Sequence, residues 1–179
     1  MTKREAMFGS AAFFLVAPGV VAGLIPFLIT HWRAGADVSL TLAIFGVIMI
    51  VAGLVALIDC FVRFALKGGT PAPIAPTPEL VVTGLYRHVR NPMYLAVLLL
   101  IFGQMLVFAN AGLLAYGVVV AVTVHFFVLG YEEPKLKASF PEAYEAYREN
   151  VGRWLPRLTP WTPQAPGTLA ATSPNTPRT

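Results

Sequence analysis

The sequence predicts an all-α integral membrane protein. About four transmembrane helices are expected, the last two as a tight C-terminal hairpin, with one amphipathic helix on the cytosolic interface. Three observations carry this. The 179 residues are 56% hydrophobic and only 12% charged, against about 25% charged in an ordinary soluble domain. Mean hydropathy is +0.68. Four stretches are apolar over, or nearly over, the roughly 20 residues that a spanning helix needs.

The first stretch runs from about Met7 to Ile29 behind a basic start, Lys3-Arg4. That start resembles a signal peptide, but the apolar run exceeds a signal core of about 7–15 residues, so a spanning helix is expected. The second stretch runs from about Leu40 to Leu66. It contains the only cysteine, Cys60, which is read as a small buried apolar group with no disulfide partner. The third, Met93 to Ala109, is short at 17 residues, and the fourth is Ala111 to Leu129. Asn110 and Gly112 are the turn residues available between them, hence the tight hairpin.

The connecting segments are legible from their punctuation. "GGTPAPIAPTP" contains Pro71, Pro73, Pro76 and Pro78, which exclude a helix and favour an extended path. Gly84 closes the "ELVVTG" that follows. Pro134 and Pro141 both suit a first helical turn. Ser139 and Glu142 have the spacing of a capping box, which puts a helix start near Phe140. Leu136, Phe140, Tyr144, Tyr147 and Val151 form one apolar stripe opposite a charged face. This segment is too short and too polar to span, so it is expected to lie on the membrane surface until Pro156 ends it. After about Trp161 the chain is rich in Pro, Thr and Ala and reads as a flexible tail. The expected organisation is helices one and two in 1–66, the loop and an Arg/His motif in 67–92, the hairpin in 93–131, the amphipathic helix in 132–158 and the tail in 159–179.

Orientation follows from lysine and arginine in the loops. Eleven of them flank one side: Lys3, Arg4, Arg63, Lys67, Arg87, Arg90, Lys135, Lys137, Arg148, Arg153 and Arg157. The other side has Arg33, partly offset by Asp37. Both termini and the 67–92 loop are therefore expected in the cytosol.

That topology brings two polar clusters together. Arg87, His88, Arg90, Asn91 and Tyr94 stand where helix three begins, and Glu132 and Glu133 stand where helix four ends. Arginines and tyrosines also anchor ordinary helix ends at the interface, so anchoring and ligand binding are both open. Three details weigh towards binding. Residues 86–94 carry six polar or amphipathic groups. Pro92 restricts Asn91 to extended geometry. Two adjacent glutamates on a face whose lipid is usually anionic do not suit simple anchoring.

At these residues the chain resembles a known family. "GLYRHVRNPMYL" looks like the Arg-His-Pro-x-Tyr signature of the isoprenylcysteine carboxyl methyltransferase and phospholipid methyltransferase superfamily. "EEPKLKASFPEAYEAYRENVGRWLP" looks like its second signature of paired Glu, Leu, Phe, Tyr-x-x-Tyr and a basic stretch ending in Pro. The resemblance covers roughly residues 80–158. It implies S-adenosylmethionine as cofactor, bound on the cytosolic side, and methyl transfer to a lipophilic acceptor from the bilayer. It implies catalytic roles for Arg90, Glu133 and Arg148. It implies a cofactor site made of Tyr86, Arg87, His88, Asn91, Pro92, Tyr94, Glu132, Glu133, Tyr144 and Tyr147. The family's His before Pro is Asn91 here, and an amide cannot carry a charge.

The residue chemistry agrees with that implication. Arginines suit the cofactor's carboxylate and glutamates its amine, so Arg87 and Arg90 with Glu132 and Glu133 are expected to clamp it. The acceptor stays open between a prenylcysteine-like or other lipophilic acid, which needs no base, and a phospholipid amine or other small acceptor, which must first lose a proton. A non-catalytic membrane subunit is the reading from a different class. Asp59 and Arg63 are four apart near the end of helix two and read as an ion pair or as acceptor-site lining. His31 and His125 have no clustered partners, so no metal site is expected. No nucleic-acid partner is expected either.

Overall fold

The structure, a computed structural model, describes residues 17–35, 38–66 and 80–163. The start of the first expected helix, the proline-rich loop and the tail beyond 163 lie outside these residues. Every described element is helical.

Helix α1, Ala17–Thr30, contains a π turn at Val20–Leu24. Proline explains the turn. Pro26 has no N–H to give to the carbonyl four residues back, so the helix cannot keep its ordinary ladder there. The Ile25 N–H bonds to Val20 O instead, and the carbonyls of Val21 and Ala22 are left for other donors. Tyr116 donates its hydroxyl to Val21 O at 2.8 Å, and Gln104 donates its amide to Ala22 O at 2.7 Å. Two polar side chains thus fasten α1 to its neighbours inside an otherwise apolar bundle. Gln104→Leu is expected to lower stability by about 0.6–1.7 kcal/mol, the range for interhelical hydrogen bonds in apolar surroundings. Thermal unfolding in detergent checks this, with an unchanged midpoint counting against the latch.

Helix α2, Leu40–Leu66, has the expected bounds. Helix α3, Pro92–Phe108, starts with Pro92 in its first turn behind Asn91, close to the expected Met93. Ala109 then takes a left-handed conformation (φ 47°), and the Asn110 side chain accepts the Leu113 N–H at 3.2 Å. The hairpin is tight, but its turn is made by Ala109 and Asn110, and Gly112 lies within the next helix.

That helix, α4, is Ala111–Phe127. It does not stop near Leu129. A π turn at Val128–Glu132 carries it into α5, Glu133–Ser139, so one rod of 29 residues runs from Ala111 to Ser139. After a break at Phe140 (φ −139°), α6 covers Pro141–Asn150. The capping box does not form. Ser139 is spent as the last residue of α5, and Phe140 takes the cap position without a side-chain bond.

Among the described residues, Leu40–Phe64 and Ala111–Ser139 are long and apolar enough to cross a membrane, while Ala17–Thr30 and Pro92–Phe108 are shorter. At 1.5 Å per residue, the 17 residues of α3 reach about 25 Å, against a hydrocarbon core of about 30 Å. Only 17% of the most apolar window of each long helix is buried. Phe45, Val55, Val119 and Phe126 stand more than 60% exposed, which suits lipid and not water.

Helices α2 and α3 cross backbone to backbone. A Cβ added to Gly46 would lie 2.6 Å from Gly103 O, and one added to Gly103 would lie 2.7 Å from Gly46 O. Leu57, Phe61, Ala96, Val97 and Ile101 with Ala22 of α1 form the core beside this crossing.

The amphipathic stripe is covered by protein. Tyr144, Tyr147 and Val151 are 2%, 3% and 1% exposed. They pack with Leu136, Phe140, Leu80, Val82 and Trp161. The expectation of a stripe lying on lipid is corrected here: residues before α3 and after α6 close over it, which periodicity alone does not reveal.

Candidate functional site

The motif preceding α3 is a short 3-10 turn, Gly84–Arg87, entered from extended Thr83. Gly84 has φ +54°, and a Cβ there would fall 1.9 Å from the Arg63 guanidinium carbon. Only glycine allows both the left-handed turn and the arginine lying across it. Arg63 is held flat by Asp59, with Nε and Nη2 each donating to a carboxylate oxygen at 2.7 Å. The expected pair therefore forms, four residues apart on α2.

The chain after α6 runs back along the motif and clasps it through the backbone. The Arg90 N–H donates to Gly152 O, the Arg157 N–H to His88 O and the Trp161 N–H to Arg87 O, all at 2.9 Å. Side chains add to this. Arg87 Nε donates to Trp161 O at 2.7 Å, and its Nη2 donates to the Thr162 hydroxyl. His88 Nδ1 donates to Arg157 O at 2.8 Å, and the Asn91 amide donates to Arg153 O at 3.2 Å. Trp161 and Thr162 are thus held against the motif at the start of the expected tail. Asn91, standing where the family has His, makes a contact that asks only for a neutral donor.

The motif's side chains divide between two faces. On the α4–α5 side is a charged cluster. Arg90 Nη1 lies 3.1 Å from Glu133 Oε1 and donates to the Tyr144 hydroxyl at 3.1 Å. Arg153 grips the same glutamate with both edges of its fork, at 2.6 and 3.0 Å. Tyr94 donates to Glu132. Hydrogen bonding to Glu133 raises the Arg153 guanidinium pKa further. Burial pushes the Tyr144 phenol up, and the Glu133 charge adds to it against the opposing Arg90, so Tyr144 is a neutral hydroxyl.

On the α2 side Arg87, His88, Asp59 and Arg63 line a cleft of about 680 Å³. Its apolar wall is Ala52, Val55 and Ala56, one face of α2. Arg87 is therefore separated from the glutamates it was expected to join, because the turn at Gly84–Arg87 directs it to Trp161 and the cleft.

Four other expected site residues are used otherwise. Tyr86 is 8% exposed, its ring edge-on to Phe64 at 5.7 Å, and burial beside Cys60 pushes its phenol well up. Tyr147 donates its hydroxyl to Tyr86 O at 2.6 Å. Arg148 pairs with Glu145 on the exposed side of α6. Pro92 shapes the start of α3 without offering a donor. Arg153 was not singled out in the sequence, although the basic stretch "GRWLP" of the second signature contains it.

One atom of the charged cluster has no partner: Arg90 Nε is buried and unbonded. A buried donor left without an acceptor costs about 1–3 kcal/mol, which a small anionic group would relieve. Guanidinium, carboxylates and phenols together offer donors and acceptors to a zwitterion, so the residues fit the amino-acid end of S-adenosylmethionine.

The family model described as phospholipid methyltransferase matches residues 41–143. The chain belongs to that family. No curated protein and no solved structure matches it. Membership in the phospholipid methyltransferase family implies methyl transfer from S-adenosylmethionine to a lipophilic acceptor at the membrane. The match spans α2, α3, the α4–α5 rod and the motif between them, and stops just short of Tyr144.

Proposed function

We propose that this phospholipid methyltransferase family member methylates the carboxylate of a lipophilic acid, such as a prenylcysteine-like acceptor, on the cytosolic side of the membrane. The observation that carries the cofactor half is the buried, unpartnered Arg90 Nε. When bound, S-adenosylmethionine supplies a methyl group on a sulfonium centre, activated for in-line displacement. Arg90 would receive its carboxylate, and Glu132 and Glu133 its ammonium. Arg153 holds Glu133 in position, while Tyr94 and Tyr144 orient the carboxylate and guanidinium they touch. Positioning supplies most of the acceleration in such a transfer. A carboxylate acceptor is already nucleophilic, so no general base is required of the chain. The cytosolic assignment rests on the eleven basic residues that flank this side.

A second reading, N-methylation of a phospholipid amine, is favoured by the family model's own description. The amine would have to lose a proton first, and Asp59 is the carboxylate of the α2 cleft that would take it.

The two are separated by chemistry. Purified protein is incubated with methyl-labelled S-adenosylmethionine and a whole-lipid extract, and the labelled lipid is treated with mild alkali. Label released as volatile methanol identifies an ester and is the expected result. Label that stays non-volatile on the head group identifies N-methylation. Unlabelled lipid overturns both and returns the chain to a non-catalytic membrane role.

A further inference from the structure

We propose that the cleft between α2 and the Gly84–Arg87 turn binds the acceptor, as a lipid whose head group is anionic, a carboxylate or a phosphate. The inference rests on the methyltransferase reading for the word acceptor, but its geometry is independent of the cofactor cluster.

The cleft is amphipathic along its length. Ala52, Val55, Ala56, Asp59 and Arg63 lie on one face of α2. Their spacing covers about 16 Å at 1.5 Å per residue, apolar at one end and charged at the other. Ala52 and Ala56 are small and leave room for a hydrocarbon chain. Val55 is 63% exposed, so the apolar end opens onto the face that suits lipid. The polar end carries two guanidiniums against one carboxylate.

Both guanidiniums are already oriented. Arg63 is fixed by Asp59 across the Gly84 backbone. Arg87 is fixed by Trp161 O and Thr162. In each, Nε and Nη2 are used, and Nη1 makes no hydrogen bond among the described residues. An arginine has five donors, so each keeps capacity for a bound anion. Since Asp59 neutralises only one positive charge, the cleft has an excess that an anionic head would balance and an ammonium alone would not.

The test uses the full chain without cofactor, so acceptor binding is read apart from methyl transfer. Detergent-purified protein is immobilised, and retention of radiolabelled oleate, phosphatidate and neutral diacylglycerol from mixed micelles is measured. Retention of oleate, phosphatidate or both over diacylglycerol is expected, and the anion retained names the source of the head group. The Arg63→Gln change should cut that retention about 10-fold or more, the effect of one charge-assisted hydrogen bond of about 1.5 kcal/mol. The double change Asp59→Asn with Arg63→Gln keeps the excess charge on Arg87 but still removes the Arg63 donor at nearly constant shape, so retention should fall less than in Arg63→Gln yet stay below wild type, which guards against misfolding from a lone Asp59. Affinity for S-adenosylmethionine, read by calorimetry, should stay within about two-fold in both variants. Equal retention of diacylglycerol, or wild-type retention in the double variant, overturns the cleft assignment. Loss of cofactor binding in the wild-type chain would instead overturn the methyltransferase reading and leave the cleft standing.

Discussion

Replacing Glu133 with alanine is expected to lower S-adenosylmethionine affinity about 100-fold, with a fall in thermal stability alongside. Glu133 is 15% exposed and holds two arginines at once, Arg90 at 3.1 Å and Arg153 at 2.6 Å. Its removal leaves two guanidiniums facing each other, and Arg90 loses the contact that sets its direction. Charge-assisted bonds contribute about 1.5–3 kcal/mol each, and about 3 kcal/mol is a factor of roughly 100 in affinity. Glu133→Gln keeps the shape and one acceptor, and should fall between wild type and alanine. Calorimetry on the detergent-purified protein measures this. Lys137→Ala is the control, because among the described residues Lys137 pairs with Glu145 at 3.9 Å on an exposed surface, where such pairs are worth little. Wild-type cofactor affinity in Glu133→Ala, with only the melting point lowered, would reduce the cluster to a staple between α5 and the chain after α6.

The second large effect belongs to the helix crossing. Gly103→Val is expected to destabilise the bundle by about 3 kcal/mol, at the upper end of ordinary overpacking. The new Cβ would meet Gly46 O at 2.7 Å and Ile50 Cγ1 at 2.8 Å. The first of these is backbone, so no rotamer change can relieve it, and α2 and α3 must separate. Because α3 starts at Pro92, directly after the motif, that separation also moves Arg90 relative to Arg63. Thermal scans in detergent provide the measurement, with Gly130→Ala as control, since nothing lies within 4 Å of a Cβ there. An unshifted midpoint in Gly103→Val would mean that the two helices do not approach so closely.

Much of the scaffold was legible because it is written locally. The apolar run from Leu40 to Leu66, Pro92 at the start of α3 and Asn110 at the hairpin each act within a few residues. The Asp59–Arg63 pair, one turn apart, was legible for the same reason. The misreadings have physical causes too. The Gly130-Tyr131-Glu132 stretch looks like a helix end, but a π turn absorbs it and the rod continues to Ser139. The stripe from Leu136 to Val151 announces an apolar face without saying what covers it, and the cover comes from Leu80, Val82 and Trp161. Within the candidate site, Glu133 and Arg90 were legible as opposite charges at neighbouring helix ends. Arg153 was not, because its pairing with Glu133 depends on the chain folding back after α6. The parting of Arg87 from Arg90 was hidden by their closeness in sequence, since Arg87 turns to Trp161 and the cleft while Arg90 turns to Glu133.

The backbone clasp between residues 152–161 and the motif has a consequence for how the protein is made. The motif is synthesised before the α3–α4 hairpin, yet its Arg87, His88 and Arg90 backbone groups find their partners only in a segment that leaves the ribosome after that hairpin. Insertion of the apolar helices and assembly of the polar end are therefore separate events in time. Once the hairpin is made, Arg90 can meet Glu133 and Tyr94 can meet Glu132, but Glu133 waits for its second arginine, Arg153, which completes the charge pairing. A nascent chain halted before Gly152 would carry its helices into place and still lack an assembled polar end.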